Sequence, residues 1–386
     1  MKLLFIEWNS FGNQDILEAF NEMNIQVSIF PFEKSEPRVD PHVSALLSLK
    51  IKQEHPDLVF SFNYFPLISN VCKETGVPYY AWVYDSPYVL LYSYTLINPC
   101  NHIYLFDKEQ YLEFANAGAK TVHYLPLAVN AKRLGSLSQA PAIQQQYRSD
   151  IAFVGSLYTE KHNFFDRMKN LPEHTRGYLA GLMESQLKVF GYNFIKECLP
   201  SDIMDDLKAN LPLAPNTDGV ETYEYLFSQY VINRKITAIE RDRYLKAIAC
   251  KQPLDLYTPD QSYAVKGITN HGPVDYYDGM PYVFQNAKIN LNISLRSIQS
   301  GIPLRALDIM GCGGFLLTNF QADFLDYFIP DEDFVYYESE QDLLNKIDFY
   351  LIHDAERKKI AASGQQKVLQ NFSYVNQLQK MFSDLF

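Results

Sequence analysis

The sequence has no stretch near the roughly 18 apolar residues that a membrane span requires. Its start, MKLLFIEWNS, carries one lysine and a short apolar run before Glu7, too brief for a secretory leader. A cytoplasmic protein without a transmembrane segment is therefore expected. The five cysteines, Cys72, Cys100, Cys198, Cys250 and Cys312, include no CxxC pair, which argues against a disulfide framework and a zinc site. Basic runs are also missing. With 34 Lys and Arg against 45 Asp and Glu, the formal charge is −11, so no nucleic-acid partner is expected, although one anionic nucleotide could still be held locally. No GxGxxG follows the first strand, which disfavours a nicotinamide enzyme. No DxD sits on a convincing loop: Asp205-Asp206 and Asp331-Glu332-Asp333 read as helix-surface or solvated charge. No metal is invoked.

Aromatics, by contrast, are abundant. The 28 Tyr and 26 Phe supply rigid walls with polar edges, suited to sugars and bases, although core usage and coding bias produce the same richness. At 386 residues the chain exceeds one hydrophobic core, so two domains are expected. Apolar runs at Leu3 to Ile6, Val27 to Phe30, Leu58 to Phe62, Tyr79 to Tyr84 and His102 to Phe106 alternate with helical patterns, which implies a mostly parallel sheet covered by helices. Residues 1–130 form this first domain, and 131–149, rich in Ser, Gln and Ala, reads as a linker. A second domain covers 150–365, opening on the strand Asp150 to Val154 and carrying a helical insert over about 163–250. Its further strands begin near Leu254, Ile289, Phe315 and Phe334.

The most informative stretch runs from Ile289 to Asn319. A strand leads to the polar turn Ser300, Gly301 and Pro303, then to a short helix carrying Arg305 and Asp308, then to Gly311, Gly313 and Gly314 before the next strand. With Pro303 opening the helix, Arg305 and Asp308 leave one face near its N-terminus. An arginine and backbone N–H groups would meet a phosphate there, leaving a carboxylate for hydroxyls. An i,i+3 ion pair is the plainer alternative. The glycines equally mark a helix stop and a tight strand entry.

The run LNISLRSIQSGIPLRALDIMGCGGFLLTNFQADFLDYF resembles the C-terminal domain of the CgeB-like (spore-maturation-protein) glycosyltransferases, a branch of the GT-B enzymes. The likeness extends through Gly272–Tyr276, Met280–Phe284, Phe334–Tyr337 and Asn371–Tyr374, and so covers most of Tyr147 to Phe386. In the N-terminal half it rests on Trp82–Pro87 and Leu125–Asn130. The resemblance implies an α/β GT-B fold, with two Rossmann-like domains facing across a cleft and a terminal helix, 366–386, crossing back to the first. It also implies sugar transfer, with retention, from a UDP-, GDP- or dTDP-linked donor to a hydroxyl acceptor, without a permanently bound cofactor or a metal.

By that resemblance Arg305 grips the donor diphosphate and Asp308 a ribose or sugar hydroxyl, beside Ser300 and Gly301. Gly155 and Ser156 admit the diphosphate to the backbone, Val265, Gly267 and Tyr276 lie near the base, and Lys266 and Arg296 are reserve cations. Asp85, in Asp85-Ser86-Pro87, is the carry-over for acceptor binding or acid/base work, with a helix cap as its alternative. Trp8, Asn63 and Tyr64 line the acceptor side. Retaining relatives often carry two glutamates with seven residues between them; here the pair falls on Ser300 and Asp308, which puts the donor sugar in doubt. A catalytically degenerate nucleotide-binding module in surface or spore-glycan assembly, and a GT-B epimerase or phosphorylase, stay open. So do the acceptor, whether protein, glycan or lipid-linked, and a homodimer.

Overall fold

Strand-forming runs dictate the architecture. In the computed structural model, which describes residues 1–33, 36–159, 163–383 and 385, β1 (Lys2–Glu7), β2 (Gln26–Pro31), β3 (Leu58–Phe62), β4 (Tyr79–Val83), β5 (Asn101–Leu105) and β6 (Val122–Tyr124) form one parallel sheet in the order β2-β1-β3-β4-β5-β6. Every residue of β3 and β4 is buried, as strands covered by helices on both faces require. A second parallel sheet contains β7 (Ser149–Val154), β8 (Leu254–Tyr257), β9 (Ile268–Asn270), β10 (Ala287–Asn292), β11 (Leu316–Asn319) and β12 (Val335–Tyr337), ordered β12-β11-β10-β7-β8-β9. Both sheets are Rossmann-like.

The chain divides into two units. The first contains Met1–Asn130, Pro215–Glu221 and Phe372–Phe386; the second contains Ala131–Ala214 and Thr222–Asn371. In the first unit, Val129 N–H donates to Phe372 O at 2.9 Å and Tyr374 N–H to Val129 O at 3.2 Å. The helix Tyr374–Met381 then lays Tyr374 edge-on to Phe62 and Trp82, with ring centroids 6.3 and 5.9 Å away. Residues 215–221, expected inside the insert, also join this unit: Arg38 Nη1 donates to both Asp218 carboxylate oxygens at 2.7 and 2.8 Å.

Residues 131–149 differ from the expected linker. Ala131–Gly135 and Pro141–Gln146 are short helices, and Ser149 already opens β7. The first buries only Leu134 and the second buries none of its residues, so no apolar period announces them. The insert has its own core: Leu179, Met183 and Leu187 recur at helical spacing and pack with Ile203, Leu207 and Val231. β6 and β9, each of three residues, lie at sheet edges and were absent from the expected elements. Asp333, expected as solvated charge, is only 2% exposed and is paired with Lys367. Among the described residues, no helix is long and apolar enough to cross a membrane.

Candidate functional site

Parallel strands all point one way, so ligands meet the loops at their carboxyl ends, in the crevice where strand order reverses. In the second unit that crevice lies between the neighbours β7 and β10. Gly155 and Ser156 leave β7 there. The loop after β10 carries Ser300 and Gly301 into the helix Leu304–Gly311, with Pro303 at its N-cap position and Arg305 in its first turn. Topology thus gathers Gly155, Ser156, Ser300, Gly301 and Arg305 at one edge.

Arg305 is half-buried. Its guanidinium stands 5.4 Å from the Phe284 ring centre, and Nη1 rests on the Met280 thioether. It makes no ion pair with Asp308 or any other described carboxylate. Asp308 is only 3% exposed, and the Tyr276 hydroxyl donates to its Oδ1 at 3.4 Å. Arg133 lies over the rings of Tyr276 and Tyr277, 5.6 and 5.0 Å from their centres. Tyr276 and Asp308 are therefore brought together, and Arg133, expected in a linker, joins them. Burial pushes the adjacent Cys312 thiol well up, and the Asp308 carboxylate adds to it.

The loop after β10 is held by the helix Asn233–Ala249 and the π-helical turn Phe227–Ile232 before it. Ser297 Oγ donates to Gln229 O at 2.8 Å, and Arg296 N–H to Thr237 Oγ1 at 2.9 Å. Arg241 donates through Nε and Nη2 to Ile293 O and through Nη1 to Ser156 O. One buried guanidinium therefore ties the carboxyl end of β7 to that of β10. It forms no ion pair among the described residues, and burial draws its pKa below the usual arginine range. Sequence reasoning treated this helix as apolar core. The detectable signal was polar residues at 229, 233, 237, 240 and 241, a helical spacing that puts them on one buried side.

Three expected residues do not reach the crevice. Arg296 is only 9% exposed and spends its guanidinium on Glu240, through Nε at 2.9 Å and Nη2 at 2.5 Å, and on Val189 O at 2.8 Å. Lys266 and Gly267 precede β9, and Leu254 N–H, at the start of β8, donates to Gly267 O at 3.0 Å. They therefore sit at the amino-terminal rim of the sheet, the edge opposite the loops after β7 and β10. Gly267, at φ +90°, has a structural reason to be glycine: a Cβ would lie 2.4 Å from Ala249 O.

In the first unit, Asp85 follows β4 and is half-buried. Asn63 donates from Nδ2 to Asp85 Oδ2 at 2.7 Å and accepts through Oδ1 from Tyr84 N–H at 3.0 Å and Asp85 N–H at 3.3 Å. The next helical turn, Val89–Tyr92, starts after Tyr88 at its N-cap, so neither Asp85 nor Ser86 occupies that cap position. Asn63, Tyr64 and Trp8 are buried, at 0%, 0% and 7% exposure, so they support the Asp85 loop and the core instead of lining an open surface. Among the described residues, no three His, Cys, Asp or Glu side chains gather as a metal site.

Residues 239–383 match a family described as Glycosyl transferase-like. The spore protein CgeB of Bacillus subtilis (strain 168) is 21% identical over 310 residues, 78% of this chain and 73% of that protein. Anabaena HepE in complex with UDP-glucose superposes with a TM-score of 0.56 at 11% identity, over 100% of this chain and 99% of that one. Sucrose-phosphate synthase of Thermosynechococcus elongatus does so with a TM-score of 0.56 at 12% identity, over 100% and 99%. The fold is GT-B. Its two Rossmann-like sheets, with helical insertions in the second unit, are the architecture expected from the sequence.

Proposed function

We propose that this chain is a CgeB-like GT-B glycosyltransferase that moves a sugar from a nucleotide-diphosphate donor to a hydroxyl acceptor. The observation that carries this reading is Arg305: a cation with no carboxylate partner among the described residues, in the first turn of a helix at the strand-order reversal of a Rossmann-like sheet. The bidentate fork of its guanidinium suits a diphosphate, and the Ser300–Gly301 turn and the Gly155–Ser156 loop supply backbone at the same edge. Leaving-group charge would be stabilised by Arg305 and helix-terminal N–H groups, without a metal. Asp308, with Tyr276, recognises a ribose or sugar hydroxyl. Asp85, oriented by Asn63, serves the acceptor side.

The UDP-glucose held by HepE makes a uridine donor the first to try. Retention, metal independence and a cytoplasmic setting belong to the same proposal; the acceptor class is left open. Calorimetric titration with UDP-, GDP- and dTDP-sugars, with and without EDTA, tests it. Saturable binding that survives EDTA, followed by mass transfer to an acceptor or donor hydrolysis, is expected. Failure of all donors to bind would sink the reading. Ser300, standing where retaining relatives often have a carboxylate, favours one alternative, a binding module that holds the donor without turnover; binding with neither hydrolysis nor transfer would select it.

A further inference from the structure

The helix Asn233–Ala249 runs antiparallel to the strands it covers. Its last turn reaches the amino-terminal rim of the second sheet, where a Cβ on Gly267 would meet Ala249 O. Halfway along, Arg241 donates to Ser156 O and Ile293 O, just past the carboxyl ends of β7 and β10. The N-terminal half therefore projects beyond those strand ends. Arg296 N–H donating to Thr237 Oγ1, and Ser297 Oγ to Gln229 O, fasten it to the loop that leads to Ser300, Gly301 and Arg305.

Arg234 lies seven residues before Arg241, which on an α-helix is within about 20° of the same side and roughly 10 Å nearer the N-terminus. It thus overhangs the crevice. Its guanidinium stands 5.7 Å from the ring centre of Tyr230, in the π-helical turn Phe227–Ile232. Its Nε is buried without an acceptor, and among the described residues Arg234 makes no hydrogen bond or ion pair. The next residue, Lys235, spends its charge on Asp166 at 2.6 Å. A buried donor left open carries a cost that an anion would remove. Burial is the main cause of the lowered Arg241 pKa and the charge of Arg305 adds to it, so Arg305 shares the neighbourhood of this helix face. The diphosphate of a nucleotide-sugar carries a negative charge on each phosphate, and Arg305 matches only one of them.

We infer that Arg234 is the second cation of the donor site and pairs with a phosphate of the bound nucleotide diphosphate. The inference rests on the transferase reading and makes the helical insert part of the donor site. Calorimetry on the full chain with UDP, GDP and dTDP, at low and high salt, tests it. Arg234→Ala should weaken the tightest nucleotide at least about tenfold, as loss of a charge-assisted hydrogen bond implies, and flatten the dependence of its affinity on salt. Arg234→Lys should recover part of the loss. Should Arg234→Ala not fold, Arg234→Gln, which keeps a long side chain over Tyr230, carries the test. Parent-like affinity in a folded variant would overturn the inference and leave the transferase reading standing. Weaker binding with the parent's salt dependence would also overturn it, because that marks a structural role. A parent that binds none of the three nucleotides would sink the transferase reading and this inference together.

Discussion

Arg305 and Asp308 stand three residues apart on one short helix and make no ion pair with each other. The simplest explanation for an arginine and an aspartate at that spacing is thereby removed. Asp308 turns to the Tyr276 hydroxyl, whereas Arg305 lies across Phe284 with its charge unmatched by any described carboxylate.

Arg305→Ala is therefore expected to lower kcat/KM by about 100-fold, roughly 2.7 kcal/mol, through lost donor affinity and lost stabilisation of leaving-group charge. Thermal stability should barely change. Donor calorimetry beside a melting curve decides it: normal affinity in a folded variant removes Arg305 from the diphosphate.

Arg296 should behave in the opposite way. Its side chain and that of Glu240 are 8% and 1% exposed, so removing the arginine strands a buried carboxylate. Arg296→Ala is expected to cost about 3–5 kcal/mol of stability. A shift in the chemical-denaturation midpoint measures this; a midpoint like that of the parent would show that the pair is not a structural anchor.

The contrast shows what was legible in the sequence. β1, β3 and β4 announce themselves as nearly unbroken apolar runs, and the polar turn before Arg305 marks a strand's carboxyl end, so the fold and the crevice could be read. β6 and β9 could not, because three-residue edge strands carry no pattern. Nor could the fate of Arg296. Its partner Glu240 lies 56 residues away on another element, and only the folded register brings them together. Arg133 and Arg241 were hidden for a similar reason: one sits in a segment with no apolar period, the other on a helix dominated by core residues.

Arg241 supplies a third prediction. Its guanidinium bridges Ser156 O and Ile293 O, so a shorter neutral amide cannot hold both loops. Arg241→Gln should raise KM for the donor while the Asp85 loop in the other unit is untouched. Loss of a hydrogen-bonded charged group predicts about 1.5–3 kcal/mol, a rise of roughly tenfold or more. A folded Arg241→Gln protein with unchanged donor KM would show that the two strand ends keep their places without the bridge.

Acid sensitivity should trace in part to Asp333. Burial alone would raise its carboxyl, but hydrogen bonds from Lys367, Ser363 Oγ and the Ile329 N–H outweigh burial and hold it below the ordinary aspartate range. A carboxyl depressed in the folded state adds stability that is complete above its unfolded value of about 3.9 and is lost as pH falls through the lower folded value. At neutral pH, Asp333→Asn should cost about 1.5–3 kcal/mol, the range for hydrogen bonds to a charged group. The gap between parent and variant should then close as the pH is lowered below about 4, because the parent protonates the same group. Melting temperatures measured from neutral to strongly acidic buffer test this. A gap that stayed constant across the range would mean that the loss at neutral pH comes from packing and not from the charged contact with Lys367.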